Sequence, residues 1–157
     1  MLINAENKKF NKYFIPCLGG ILGGISISTN LWLVFMPISL FILWSRSHKK
    51  LPNFLWGFFF IFVSHSWLYE LHPLTWLGFS WIASLFISIS ILIGCSLTGG
   101  LLVFMWGLLG KRILHEEDIF KIKILPLMTK VLLLSFGWGI GELILSQTPL
   151  FWIGLGE

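Results

Sequence analysis

The sequence predicts an all-α protein, a polytopic bundle of about five transmembrane helices, and three observations carry that prediction. Its residues are 56% apolar and only 11% charged, whereas about a quarter of the residues of a soluble domain are charged. The apolar residues gather in runs that approach or exceed the roughly 20 residues of a helical span. All eleven Lys and Arg residues lie in segments that alternate with segments carrying none, the pattern that sets orientation across a bilayer.

The amino-terminal tail, residues 1–12, carries Lys8, Lys9 and Lys12 ahead of an apolar run. A signal peptide begins this way, but the only alanines are Ala5 and Ala83 and no small-residue cleavage site follows. An uncleaved cytoplasmic tail and anchor is therefore expected. Residues 13–28 and 31–44 are two apolar runs separated by Thr29-Asn30. One helix through both would be about 48 Å long, well beyond a ~30 Å hydrocarbon core, so the length favours a helical hairpin. Gly19, Gly20, Gly23 and Gly24 form two overlapping Gly-x-x-x-Gly pairs, which suit the close approach of another helix.

Arg46, Lys49 and Lys50 form a basic cytoplasmic turn, and Pro52 and Asn53 open the run that gives a third span over 54–69. His65, between Ser64 and Ser66, is expected near the middle of that span, facing other helices. A proton relay would need further ionisable groups at its depth, so a neutral, hydrogen-bonded histidine is the favoured reading. Residues 70–76, Glu-Leu-His-Pro-Leu-Thr-Trp, read as an external loop broken by Pro73.

The stretch 77–109 would be about 50 Å as one helix. It predicts a short interfacial segment at Leu77–Trp81 and then a span over 82–109 with a kink at Gly99-Gly100. A re-entrant pair broken at those glycines is the alternative. Ser80, Ser84 and Ser88 share one helical face, where they can hydrogen-bond a neighbouring helix. The loop 111–123 mixes Lys111, Arg112, Glu116, Glu117, Asp118, Lys121 and Lys123, as a solvated cytoplasmic connection does. Pro126 opens a fifth span over 126–145, with Lys130 snorkelling to the cytoplasmic interface, and residues 146–157 form an external segment.

Tryptophan placement fits the same topology. Trp44, Trp56 and Trp106 fall near cytoplasmic ends, Trp32, Trp67, Trp76, Trp81 and Trp152 near external ends, and Trp138 well inside.

The chain offers little self-contained chemistry. Cys17 and Cys95 sit in apolar runs and read as small buried hydrophobes, not as a disulfide or metal pair. His48 and His115 read as loop residues. No phosphate loop, zinc signature, nucleophile elbow or complete nucleophile, base and orienter set occurs, so no catalytic, cofactor or metal site is expected. The basic residues form separate clusters with no continuous face, which argues against nucleic acid and leaves the phospholipid bilayer as the expected partner. Glu142, near the external end of the fifth span, needs a partner, a proton or water. It reads equally as a functional group or as a structural carboxylate bonded to backbone or tryptophan. Glu70 and His72 flank the external end of span three and would form, with Glu142, a small polar mouth.

Three features together carry a family resemblance: the hairpin ending in a basic turn, Ser66-Trp67-Leu68 with Leu71-His72-Pro73-Leu74-Thr75-Trp76-Leu77-Gly78, and Trp138-Gly-Ile-Gly-Glu142 followed by Pro149-Leu-Phe-Trp152. Over nearly its whole length the chain resembles the amino-terminal membrane part of apolipoprotein N-acyltransferase, most of all its cyanobacterial branch. The resemblance implies a bacterial inner-membrane protein whose spans surround a lipid-accessible site. Above that site the family carries a nitrilase-like domain, whose cysteine, glutamate and lysine pass an acyl chain from phospholipid to a lipoprotein's amino-terminal cysteine. That domain would follow Glu157, so the resemblance implies a fragment that is inactive alone. Glu142 and Trp152 match the family pattern in an architectural role, whereas the arginine often found after that glutamate is absent, with Leu145 and Ser146 in its neighbourhood. The competing expectation is a stand-alone binding or transport subunit, with His65, Glu142 and a broken 77–109 stretch as its path.

Overall fold

In a computed structural model, the backbone is described for residues 2–29, 31–47, 49–114 and 124–147, and the side chains for the same residues except 2–10, 32, 124 and 125. The described residues form an all-helical chain without strands: α1 (Leu2–Ser28), α2 (Trp32–Trp44), α3 (Lys50–Ser64), α4 (Trp81–Leu114) and α5 (Ile124–Ser146). Short 3-10 segments at Ser66–Leu71 and Thr75–Leu77 join α3 to α4. Residues 115–123 and 148–157, including Trp152, lie outside the described residues, as do Asn30 and His48.

The first two apolar runs form separate helices. In the last turn of α1, the hydroxyls of Ser26, Ser28 and Thr29 donate to the carbonyls of Gly23, Gly24 and Ile25 at 2.6, 3.0 and 2.7 Å. Such back-bonding satisfies the hydroxyls within the helix itself. α1 also reaches further toward the amino terminus than the apolar run, taking in the basic tail.

Two expectations are corrected. The α-helix of the third run stops at Ser64, so His65 is its C-cap residue and does not lie in mid-helix. Ser-His-Ser offers the backbone local alternatives to the helix ladder. Ser64 Oγ lies 2.9 Å from His65 Nδ1 and donates to Ile61 O at 3.4 Å, and the chain continues as a 3-10 turn. The second concerns only the alternative for 77–109. α4 is one helix of 34 residues that runs unbroken through Gly99 and Gly100, so the re-entrant pair does not form. Ser80 caps it, accepting the Ala83 N–H at 3.3 Å, and Gly78, at φ 82°, makes the preceding turn in a left-handed conformation that a side chain would strain.

The glycines act in packing. A Cβ on Gly20 would collide with the backbone carbonyl of Trp56, and one on Gly24 would fall 2.6 Å from Val63 Cβ, so α1 lies backbone-close to α3. Gly57 and Gly99 do the same between α3 and α4, where a Cβ on Gly57 would come 2.7 Å from Gly99 O. α3 is thus gripped on two sides by small-residue faces, the way helices associate where water provides no driving force between them. Trp56, buried between α1 and α2, stacks on Phe60 at 4.9 Å and donates to Ser39 O at 3.2 Å. Ser39 in turn donates to Gly19 O at 2.7 Å, tying α2 to α1.

α5 is held differently: it packs on α4, and its apolar face is largely uncovered, with Phe136, Leu132 and Leu143 exposed to 70, 67 and 63%. Trp106 of α4 donates to Leu134 O at 3.0 Å, and Leu109 and Leu102 pack against Gly137 and Gly141. Both α4 and residues Pro126–Ser146 are long and apolar enough to cross a bilayer, whereas α3 and Leu33–Trp44 are apolar but shorter.

Candidate functional site

The contacts along α4 set the height of every candidate residue. Asn53 meets Gly107, Gly57 meets Val103, and Ile61 meets Gly99 on one side. On the other side Gly141 meets Leu102. Glu142 therefore sits level with about residue 102, while His72 sits at Ser84, its Nδ1 2.8 Å from Ser84 Oγ. Eighteen residues of helix separate those levels, about 27 Å at 1.5 Å per residue.

The polar mouth expected from Glu70, His72 and Glu142 is consequently not formed. The physical reason is unequal helix length: α4 has 34 residues and α5 has 23, and α5 is aligned with the Leu114 end of its longer neighbour. A location near the end of α5 is accordingly far from the end of α4.

Three separate polar places result. Glu142 accepts the indole N–H of Trp138 at 2.8 Å, so of the two readings open for this carboxylate the structure supplies the tryptophan partner. Trp138 lies edge-on to Trp106 at 5.8 Å, and Trp106 edge-on to Trp44 at 5.2 Å. An aromatic file thus links α2, α4 and α5 and ends on the carboxylate.

Glu70 lies elsewhere, exposed on the rim of a depression of about 450 Å³ lined by Ile27, Ser28, Ser64, Ser66 and Trp67. His65 adjoins it through Ser64 and stands 6.4 Å, ring to ring, from Trp67.

His72 belongs to a third place. Ser84, fully buried, accepts the Leu74 N–H at 2.6 Å and contacts His72 Nδ1, while Trp81 meets the imidazole edge-on at 4.8 Å. Ser84 Oγ thus holds both the loop backbone at Leu74 and the imidazole at Nδ1, while His72 Nε2 is buried with no hydrogen-bond partner among the described residues. The serine face of α4 therefore ties down a loop, where sequence reasoning expected a neighbouring helix. Ser88, one turn on, is buried with no hydrogen-bond partner.

Among the described residues no three His, Cys, Asp or Glu side chains converge in a way that would hold a metal. The arrangement is suited to anchoring and lining, with apolar walls and isolated, hydrogen-bonded polar groups. A transport path through His65, Glu142 and a broken helix loses its third element, because α4 is continuous. Sequence reasoning missed the pairing of Trp106 with Leu134 and the Ser84 knot. The four-residue spacing of Trp138 and Glu142 was the readable signal for their bond.

No family model matches the chain, and no solved structure matches it. Curated proteins do. The chain is 76% identical over 156 residues to an apolipoprotein N-acyltransferase of Prochlorococcus marinus subsp. pastoris (strain CCMP1986 / NIES-2087 / MED4), covering 99% of the chain and 32% of that protein. It is 36% identical to a protein of the same name from another Prochlorococcus marinus, strain SARG, over 99% of the chain and 31% of the relative. A third, from Parasynechococcus marenigrum (strain WH8102), is 37% identical over 88% of the chain and 28% of its own length. The chain spans at most about a third of the curated relatives it matches. Identity sustained from end to end of an all-helical, apolar chain places it, as the counterpart of that third, in the apolipoprotein N-acyltransferase family.

Proposed function

We propose that the chain is the membrane portion of an acyltransferase of lipoprotein maturation, working on phospholipid as acyl donor and a lipoprotein as acceptor. The observation that carries this reading is the 76% identity to an apolipoprotein N-acyltransferase across 99% of the chain. On this reading the helices form a lipid-accessible cradle in a bacterial inner membrane, and the catalytic cysteine, glutamate and lysine of the family belong to the part of the relatives that the chain does not match. By itself the chain catalyses no transfer.

In the bilayer it makes about five crossings, with the amino terminus cytoplasmic and the carboxyl terminus external. Several features support this. The exposed apolar face of α5 would cost roughly 25 cal/mol per Å² in water and nothing in lipid. The level contacts of Asn53 with Gly107 and of Leu109 with Gly137 bring Arg46, Lys49, Lys50, Lys111, Arg112 and Lys130 toward one end of the bundle, as cytoplasmic basic residues require. α4, about 51 Å long, then tilts or extends beyond the hydrocarbon at its Trp81 end.

The test is a chimera in which this chain replaces the matching third of the Prochlorococcus marinus relative, expressed in cells depleted of their own enzyme. Mass spectrometry of lipoprotein amino-terminal peptides should show restored N-acylation with the chimera and none with the chain alone. A chimera that reaches the membrane at normal level yet leaves the amino termini free would sink the reading.

A further inference from the structure

α2, α4 and α5 meet through Trp44, Trp106 and Trp138, but α2 does not otherwise pack along α4 or α5. Between them lies a crevice of about 230 Å³, walled by Leu40, Leu43 and Trp44 of α2, Trp106 of α4, and Ser135 and Trp138 of α5. It opens toward the surrounding lipid, since Ser135 and the neighbouring outer face of α5 are exposed. A further helix, about 10 Å across, would displace several times that volume over two turns. A single hydrocarbon chain is thin enough to enter.

One end of the crevice is basic. Arg46 follows its α2 wall directly, with the Arg46 N–H donating to Leu43 O at 3.0 Å. Along α4 the wall residue Trp106 is followed by Lys111 and Arg112, and Ser135 of α5 is preceded by Lys130. Each offset is about 8–9 Å of helix or less toward the same end. The Arg46 side chain is half-buried, with Nη1 donating to Ser45 Oγ at 3.2 Å, and among the described residues it has no ion pair with a carboxylate. Burial lowers its pKa from the ordinary arginine value, a desolvation cost that an anion beside the guanidinium offsets.

We infer that the crevice holds one acyl chain of an anionic phospholipid from the leaflet at the Arg46 end, with its phosphate on the Arg46 guanidinium. This rests on the bilayer placement proposed above. The indole rings of Trp44, Trp106 and Trp138 give the chain flat apolar walls, and the planar guanidinium presents paired donors to phosphate oxygens. Such a lipid would fill the gap that leaves α5 attached through α4.

The experiment is native mass spectrometry of the full chain released from nanodiscs of equal phosphatidylglycerol and phosphatidylethanolamine. One phosphatidylglycerol should stay bound. Arg46→Gln should weaken that retention about tenfold, the size of one charge-assisted hydrogen bond. Ser135→Trp, which fills the crevice from an exposed position, should abolish it, while Leu132→Trp on the outer face of α5 should leave it unchanged. Retention by Ser135→Trp equal to wild type, or no change of lipid preference in Arg46→Gln, overturns the inference. So does protection of Ser135→Cys from maleimide that persists after complete delipidation, because the occupant is then protein. Release of the chain from membranes by alkaline carbonate would instead overturn the bilayer placement itself.

Discussion

Trp138 donates its indole N–H to Glu142 one helical turn away, at 2.8 Å, on the helix that is least covered by the rest of the protein. The pair gives a carboxylate inside an apolar helix a donor from its own chain. A hydrogen bond contributes about 0.5–1.5 kcal/mol when both partners are neutral and about 1.5–3 kcal/mol when one is charged. Trp138→Phe should therefore lower stability by about 1–2 kcal/mol. Glu142→Gln, which keeps an acceptor at the same place, should cost less than Glu142→Leu in the presence of Trp138. Thermal unfolding in detergent, followed by tryptophan fluorescence, ranks the three. If Glu142→Leu proves the most stable of them, the bond does not hold the pair.

Gly20 and Gly94 are both helical glycines with opposite expectations. A Cβ at Gly20 meets the backbone carbonyl of Trp56, which cannot rotate away, whereas one at Gly94 meets nothing within 4 Å. Gly20→Ala should push α1 from α3 and cost about 1–3 kcal/mol or more, as overpacking does. Gly94→Ala should raise stability by up to about 1 kcal/mol through helix propensity alone. Denaturation midpoints of the two variants, measured side by side, check the sign of each.

Much of the helix pattern was legible because length and apolar runs decide it, and the division between α1 and α2 follows from simple reach. The Gly19 to Gly24 cluster also announced a packing face. What escaped the sequence were relative heights. Nothing in the residues of α5 states that Glu142 lies level with Leu102 and not with the far end of α4, because axial register is set by pairwise contacts such as Trp106 with Leu134 and Gly141 with Leu102. The end of α3 was misread for a different reason. Ser64 and Ser66 around His65 looked like buried polar residues within a span, when their side chains favour leaving the helix. Among the candidate residues, the Trp138–Glu142 spacing was readable, while the Ser84 contact to Leu74 required the loop's actual path.

Trp56 fills the junction of α1, α2 and α3, stacked on Phe60 and bonded to Ser39 O. Trp56→Phe removes the N–H donor and part of the ring, and should cost about 1–2 kcal/mol, whereas Trp56→Ala leaves a cavity worth about 3–5 kcal/mol. Because Ser39 also holds Gly19 O, Ser39→Ala should weaken the same junction, and the double variant with Trp56→Phe should lose less than the sum of the two. A double-mutant cycle on unfolding free energy measures that coupling, and strict additivity would show that the two side chains act separately.

Ser84 and Ser88 lie one turn apart on α4, both fully buried, yet they should respond oppositely to loss of the hydroxyl. Ser84 bonds the Leu74 N–H at 2.6 Å and His72 Nδ1 at 2.8 Å, so Ser84→Ala leaves a buried donor and an imidazole nitrogen without their partner. Each such orphan costs about 1–3 kcal/mol. The loop from His72 to Gly78 should then detach from α4 well before the bundle unfolds, because little else among the described residues holds its backbone. Ser88→Ala removes a hydroxyl that has no partner in the structure and should be neutral or mildly stabilising by the same reasoning. Hydrogen exchange of the Leu74 amide reads the difference directly. Protection there should fall about tenfold or more in Ser84→Ala and stay at the wild-type level in Ser88→Ala, and equal loss in both variants would mean that the serine face as a whole, and not the Ser84 knot, fixes the loop.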